Sequence, residues 1–181
     1  MSMRLISEHG GEKLGVRPWM RFGAVGVAVT TAAAVGGRAV DADSAWYGSL
    51  RKPGWQPPSW AFGVVWTPLY ATIAYAGGRA LGAAGDRRRR TRPAASLAIN
   101  LTLNAGWNWL FFSLRSPQAG LVGTVLIDLS NVELIHRMAR TNWAAARALL
   151  PYAAWCGFAT ALNGSIARQN PKATAVARHS P

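Results

Sequence analysis

Residues 46–70, WYGSLRKPGWQPPSWAFGVVWTPLY, decide how this chain is read. Trp46, Tyr47, Trp55 and Trp60 are interleaved with Pro53, Pro57 and Pro58. Proline lacks the backbone N–H and fixes φ, so the segment up to Pro58 is a poor helix and a stiff, extended loop. After Ser59 the pattern changes to a continuous apolar run. The expectation is a rigid aromatic loop feeding a buried helix, a lid beside a pocket.

Outward from that stretch, the composition argues for a membrane. Half of the 181 residues are hydrophobic and only 15% are charged, whereas a soluble domain carries roughly 25% charge. The mean hydropathy of +0.09 averages apolar blocks with basic clusters between them. A net charge of +13 would also suit a nucleic-acid binder, but such proteins spread Lys and Arg along a phosphate-tracking face. Here the largest block, Arg87, Arg88, Arg89, Arg90 and Arg92, sits in a short connector between apolar runs, so nucleic acid is not an expected partner. Cys156 is the single cysteine, which excludes an intrachain disulfide framework or a Cys-rich metal site.

The apolar runs give five spans, at about 19–40, 59–81, 94–114, 118–138 and 143–167. Each approximates the 20 residues that ~30 Å of hydrocarbon requires of a helix. The expected fold is an all-α bundle of five transmembrane helices with a Pro/Trp-rich loop between the first two. Residues 1–18 read as a cytosolic tail, 19–170 as the transmembrane domain and 171–181 as a disordered tail. The first span, with a basic start and small residues near 39–42, also fits a cleaved signal peptide. Assigning Lys and Arg to the two faces puts thirteen on the side of the N-terminus and seven on the other. The positive-inside rule then makes the N-terminus cytoplasmic and sets the aromatic loop and the C-terminus outside.

On a helical wheel for the third span, Asn100, Asn104, Trp107 and Phe111 share one side, with Ala98, Thr102, Ala105 and Trp109 nearly opposite. An asparagine facing lipid leaves its amide unpaired in hydrocarbon, so the first side is expected to face the bundle interior, to bind a ligand or a neighbouring helix. The small residues opposite are a weak signal for helix dimerisation. Phe62, Trp66, Tyr70 and Ile73 share a face of the second span, as do Trp155, Ala159 and Leu162 of the fifth. Aromatic faces on three helices under an aromatic loop suit a flat apolar guest. Asp128, in mid-span, is costly in hydrocarbon and is either a polar group of the pocket or a partner for an interior side chain. Glu133 is explained by an ion pair with Arg137 one turn on, and His136 beside it reads as solvated. HExxH, CxxC, GxSxG and phosphate-binding glycine loops are absent, so metal hydrolysis, thiol redox, acyl transfer and nucleotide hydrolysis have no support and no metal is expected.

Trp46, Tyr47, Leu50, Lys52, Pro53, Trp55, Pro57, Pro58, Phe62, Val65, Trp66, Thr67, Leu69 and Tyr70 resemble the signature WYxxLxKPxWxPPxxxFxxVWTxLY of the tryptophan-rich sensory protein and translocator protein family (TspO/MBR, the peripheral-type benzodiazepine receptor family). Leu103, Asn104, Trp107, Phe111 and Phe112 resemble its LNxxWxxxFF pattern. Pro151, Tyr152, Trp155, Phe158, Ala159, Leu162, Asn163 and Asn170 resemble its last block. The resemblance covers 46–170 and favours a retained first helix over a signal peptide. It implies a five-helix bundle, usually homodimeric, in a bacterial cell membrane, binding a porphyrin such as protoporphyrin IX or haem as ligand, with no cofactor required. The pocket it implies takes Trp46, Tyr47 and Pro57 from the loop, Trp66, Asn104 and Trp107, and Trp155, Ala159, Leu162 and Asn163; Asp128 is added from its mid-span position. Trp66 and Trp155 also stand where some bacterial members carry the tryptophans implicated in light-dependent porphyrin degradation. Porphyrin sensing, oxygen-dependent photo-oxidation of protoporphyrin IX and transport of an amphipathic molecule are the functions in play. Gly164 and Ser165 stand before Arg168 where the animal proteins place a tyrosine, so sterol binding by that motif is not expected.

Overall fold

The structure, a computed structural model, describes residues 18–85 and 87–171. The two tails expected at 1–18 and 171–181 lie almost wholly outside the described residues. Every regular element among them is helical: α1 (Pro18–Gly37), α2 (Ala45–Ser49), α3 (Ser59–Ala83), α4 (Arg87–Asn108) with a π-helical turn (Trp109–Ser113) at its end, α5 (Pro117–Ala139), α6 (Trp143–Ala148) and α7 (Leu150–Gln169). The long helices pack in a ring in which α1 lies against α3 and α4, α4 against α5, α5 against α7, and α7 against α3. Val25, Leu69, Ile73, Leu101, Ile127, Leu134 and Tyr152 fill the middle.

The outside of this ring carries many large apolar side chains. Val122, Val125, Leu126, Leu129 and Val132 form an exposed stripe on α5, with Val132 69% exposed, and Trp19, Phe22, Val27 and Val35 are exposed on α1. A stripe of this size facing water is a liability, whereas in hydrocarbon it is the lipid-facing surface. Residues 19–37 of α1 and 117–139 of α5 are long and apolar enough to cross a membrane.

Several local features differ from the sequence expectation. Helix α4 begins at Arg87, not at 94, so the arginine cluster is helical and not a connector. Arginine is a good helix former, and Pro93 removes only one donor from the ladder. The run 143–167 is two helices. Pro151 cannot donate to the carbonyl four residues back, and the chain breaks at Leu149, whose N–H turns to Ala146 O at 3.1 Å. Residues 45–49 of the aromatic loop form the short helix α2, capped where the Ser44 hydroxyl accepts from Tyr47 N.

Ala105, placed with the outward face on the wheel, is buried against α1. A Cβ on Gly36 would stand 3.1 Å from Ala105 Cα, so two small residues permit a close crossing within the chain. The other inward and outward assignments on α4 agree with the structure: Asn100 is 0% exposed, whereas Trp109 is 45% exposed.

Candidate functional site

A polar knot holds the floor of the site. Tyr152 Oη donates to Asn100 Oδ1 at 2.9 Å, Asn104 Nδ2 donates to Tyr152 Oη at 3.3 Å, and Asn100 Nδ2 donates to Asn131 Oδ1 at 2.8 Å. Three helices, α4, α5 and α7, are joined by these bonds. Buried amides need such partners, and the bonds rigidify the elements they join; within the knot only Asn131 Nδ2 is left without a partner.

Above the knot lies a cavity of about 350 Å³. Its aromatic walls are Tyr47 from α2, Phe62, Trp66 and Tyr70 from α3, Trp107 from α4, Phe111 and Phe112 from the π-helical turn, and Trp155 from α7. The wall rings are themselves packed. Trp66 stacks on Tyr70 with centroids 5.1 Å apart, and Trp107 stacks on Phe111 at 5.5 Å. The π-helical turn aims these phenylalanines. Leu114 N bonds Trp109 O at 3.0 Å, the wide turn that often marks a functional position in a helix. It closes at Arg115, whose φ of 48° is left-handed. Trp107 is fixed by donation of Nε1 to Gly120 O at 3.1 Å. Gly120 has to be small, since a Cβ there would lie 2.5 Å from Phe111 Cδ2 and 3.0 Å from Asn163 Oδ1.

Among the polar lining groups, Asn163 is buried and donates Nδ2 to Ala159 O at 3.0 Å. Its Oδ1 is buried with no hydrogen-bond partner. An unsatisfied buried acceptor is costly, and a bound N–H or O–H donor would relieve it.

The loop between α1 and α3 lies across this cavity. Trp46 packs edge-on against Phe111 at 5.5 Å and Trp55 against Phe158 at 5.7 Å. Gln56 Nε2 donates to Tyr47 Oη at 3.3 Å, and Lys52 Nζ sits 4.0 Å over the Tyr47 ring. Burial pushes the Tyr47 phenol up from its ordinary value, against the Gln56 bond, which pulls it down. Asn170, the C-cap of α7, clamps the loop backbone: Arg51 N donates to Asn170 Oδ1 at 3.0 Å, and Asn170 Nδ2 donates to Arg51 O at 2.8 Å. Gln118 Nε2 holds Asn170 O in turn at 3.2 Å.

Of the residues singled out from sequence, Tyr47, Trp66, Asn104, Trp107, Trp155, Ala159, Leu162 and Asn163 line the cavity together. Trp46 and Pro57 belong to the loop above it, outside the lining. Asp128 is not part of the lining either: it accepts from Thr160 Oγ1 at 2.6 Å, an α5–α7 contact. That is its structural alternative, a partner for an interior side chain. Glu133 and Arg137 form the expected helical pair, and His136 is exposed. No group of three or more His, Cys, Asp or Glu that could hold a metal is present among the described residues. Sequence reasoning passed over Asn108, Thr124, Cys156 and Ile166 of the lining. Helical spacing could have found Ile166, four residues after Leu162, and Cys156, three residues before Ala159. Thr124 lines the cavity with Ile127, three residues on along α5, and no aromatic or resemblance signal in the sequence marked that face.

An all-helical membrane protein with an aromatic-walled cavity under a Pro/Trp-rich loop is the class these features define. The chain belongs to the TspO/MBR family, whose sequence profile matches residues 24–168. It is 38% identical over 126 residues to the tryptophan-rich protein TspO of Chlorobaculum tepidum, covering 70% of this chain and 80% of that one. It is 34% identical over 145 residues to protein CrtK of Rhodobacter capsulatus, covering 80% and 89%. The human translocator protein is 32% identical over 157 residues, covering 84% and 92%.

Proposed function

We propose that this protein is a membrane receptor for a flat, largely apolar tetrapyrrole such as protoporphyrin IX or haem, which it senses by binding in the aromatic cavity. The observation that carries this reading is the convergence of Tyr47, Phe62, Trp66, Trp107 and Trp155 from four different helices on one cavity. Aromatic faces contribute stacking beyond the area they bury, and they favour a planar guest over a branched one. The Asn163 acceptor supplies a single polar anchor for a ring N–H or a protonated substituent. At about 350 Å³ the closed cavity is at the small end of ligand sites, roughly 300–1,000 Å³. A macrocycle therefore enters as the loop lifts from Asn170. The surrounding reading is of five spans, α1, α3, α4, α5 and α6–α7, with the arginine-rich ends in the cytoplasm and the loop outside. It includes a homodimer in a bacterial cell membrane.

Titration of the purified protein with protoporphyrin IX, read by tryptophan quenching, tests the proposal. Saturable quenching that weakens at least tenfold in the Trp66→Phe, Trp155→Phe double variant is the expected result. Quenching that does not saturate, or that is unchanged in the variant, removes it. A second reading, light-dependent oxygenation of the bound porphyrin, is favoured by the presence of Trp66 and Trp155 in the lining of the one cavity. Illumination in air should then give an open-chain product that is absent without oxygen. Bleaching equal to that of free porphyrin excludes this activity and leaves binding intact.

A further inference from the structure

A second concavity lies at the opposite end of the bundle. It is an open groove of about 650 Å³ between the start of α1, the end of α3 and the first turns of α4. Its two parts differ sharply. The rim carries Arg21, Arg90 and Thr91, and the floor is built by Leu81 and by small residues of α4, including Ala95 and Ala98. Alanines one turn apart leave a channel along the helix. Met20 and Ala24 of α1 line its other side.

Both rim arginines are held in place by backbone. Arg21 Nη1 donates to Gly82 O at 3.2 Å, and Arg90 Nε donates to Ala84 O at 2.8 Å. The Arg90 bond uses one of five guanidinium donors and fixes the orientation of the rest, the arrangement suited to a phosphate. Around the rim Arg88, Arg89 and Arg92 are exposed, so the local field is strongly positive. Arg21 lies about 18 Å along α1 from Ala33 of the aromatic cavity, at 1.5 Å rise per residue.

We infer that this groove is a binding site for an anionic phospholipid, the Arg21–Arg90 rim taking the phosphate headgroup and the alanine-floored channel taking an acyl chain. A headgroup alone would need no apolar floor, and a hydrocarbon chain alone would need no arginine rim. The groove brings the two together in one concavity. A phosphate-bearing molecule without a tail would share the rim and leave the channel empty. The inference rests on the membrane-spanning reading and is independent of the tetrapyrrole.

Native mass spectrometry of the full-length protein in detergent, with phosphatidylglycerol and phosphatidylcholine of matched chains, tests it. Phosphatidylglycerol is expected to remain bound at least tenfold more tightly than phosphatidylcholine. The Arg21→Gln, Arg90→Gln variant is expected to weaken phosphatidylglycerol binding by up to about thirtyfold, the effect of two basic side chains at an anionic surface, and so to abolish the preference. Because both arginines also brace backbone carbonyls, Ala95→Leu is the second variant. It fills the channel with every charge kept, and is expected to weaken phosphatidylglycerol binding with the fold intact. Equal retention of the two lipids, or unchanged phosphatidylglycerol binding in Ala95→Leu, overturns the inference. So does displacement of phosphatidylglycerol by equimolar inorganic phosphate, which would make the rim a soluble-phosphate site. Protoporphyrin quenching, measured in the same variants, is expected to be unchanged, so failure at one site is distinguishable from failure at the other.

Discussion

Tyr152→Phe is the sharpest probe of the polar knot. The substitution keeps the ring and removes only the hydroxyl of a side chain that is 1% exposed, so no large cavity is left to add a packing cost. What is lost is the donation to Asn100 Oδ1 and the acceptance from Asn104 Nδ2. Counted as in water, two bonds at about 0.5–1.5 kcal/mol each, plus a partner left unsatisfied at about 1–3 kcal/mol, sum to several kcal/mol. Inside a membrane bundle the sum is smaller, because the unfolded helices also find partners; measured interhelical bonds there average about 0.6 kcal/mol. Asn100 keeps its bonds from Nδ2 to Asn131 and to Ser130, which favours the smaller figure. The expected loss is about 1–2 kcal/mol, roughly a five- to thirtyfold shift toward the unfolded state. Denaturant unfolding in mixed micelles, followed by tryptophan fluorescence, measures it. A cycle with Asn100→Ala should give a coupling of at least about 0.5 kcal/mol. Asn104 also lines the cavity, so a tetrapyrrole should leave faster from the Tyr152→Phe protein. Strict additivity of the two substitutions, with Tyr152→Phe within about 0.3 kcal/mol of the parent, would refute the account of the knot as one coupled unit.

Other outcomes follow from single contacts. Gly120→Ala should destabilise by about 1–3 kcal/mol through overpacking, since its Cβ meets Phe111 at 2.5 Å; thermal unfolding checks it, and Gly120→Ser should be no better. Asn170→Ala removes both bonds to the Arg51 backbone. It should raise amide exchange at 50–52 and speed both binding and release of the ligand, with little change in global stability. For Tyr47, burial raises the folded phenol above its ordinary value of 10.0. The folded loop therefore holds the proton more tightly than the unfolded chain, and the contribution of Tyr47 is fully present below about pH 10. It is lost as pH rises through the raised folded value. Loop opening read by Trp55 fluorescence should grow in that alkaline window and be flat with pH in Tyr47→Phe.

Much of the site was legible because one helix carried it. Asn100, Asn104, Trp107 and Phe111 fall on one side of a regular wheel, and hydrocarbon penalises asparagine outside strongly enough to choose the side. Trp66 and Trp155 were legible from their patterned surroundings. The wheel failed at Ala105, because burial there depends on Gly36 of another helix, which no intrahelical period records. It also assumes a constant turn, and the chain departs from one at the π-helical segment and at Leu149. Asp128 was set apart by its cost in hydrocarbon. That argument identifies a residue needing a partner, and Thr160 is the partner it has. The knot itself could not be foreseen as a knot, since its members come from three helices and pair only after packing.

Asn170 carries one further consequence. It caps the last turn of α7 through its N–H to Ala167 O, and the same side chain holds the Arg51 backbone. Helix ends are the first parts of a bundle to fray, at free energies far below that of global unfolding. The fastening of the cavity cover thus sits at a fraying end, while Phe62, Trp66, Trp107 and Trp155 of the walls stand on the long helices. Unwinding a single turn at the end of α7 would release the cover, and Tyr47 with it, with no rearrangement of Phe62, Trp66, Trp107 or Trp155. The rate at which a guest is admitted and the strength with which it is held would then be set by different residues, and either could change under selection without altering the other.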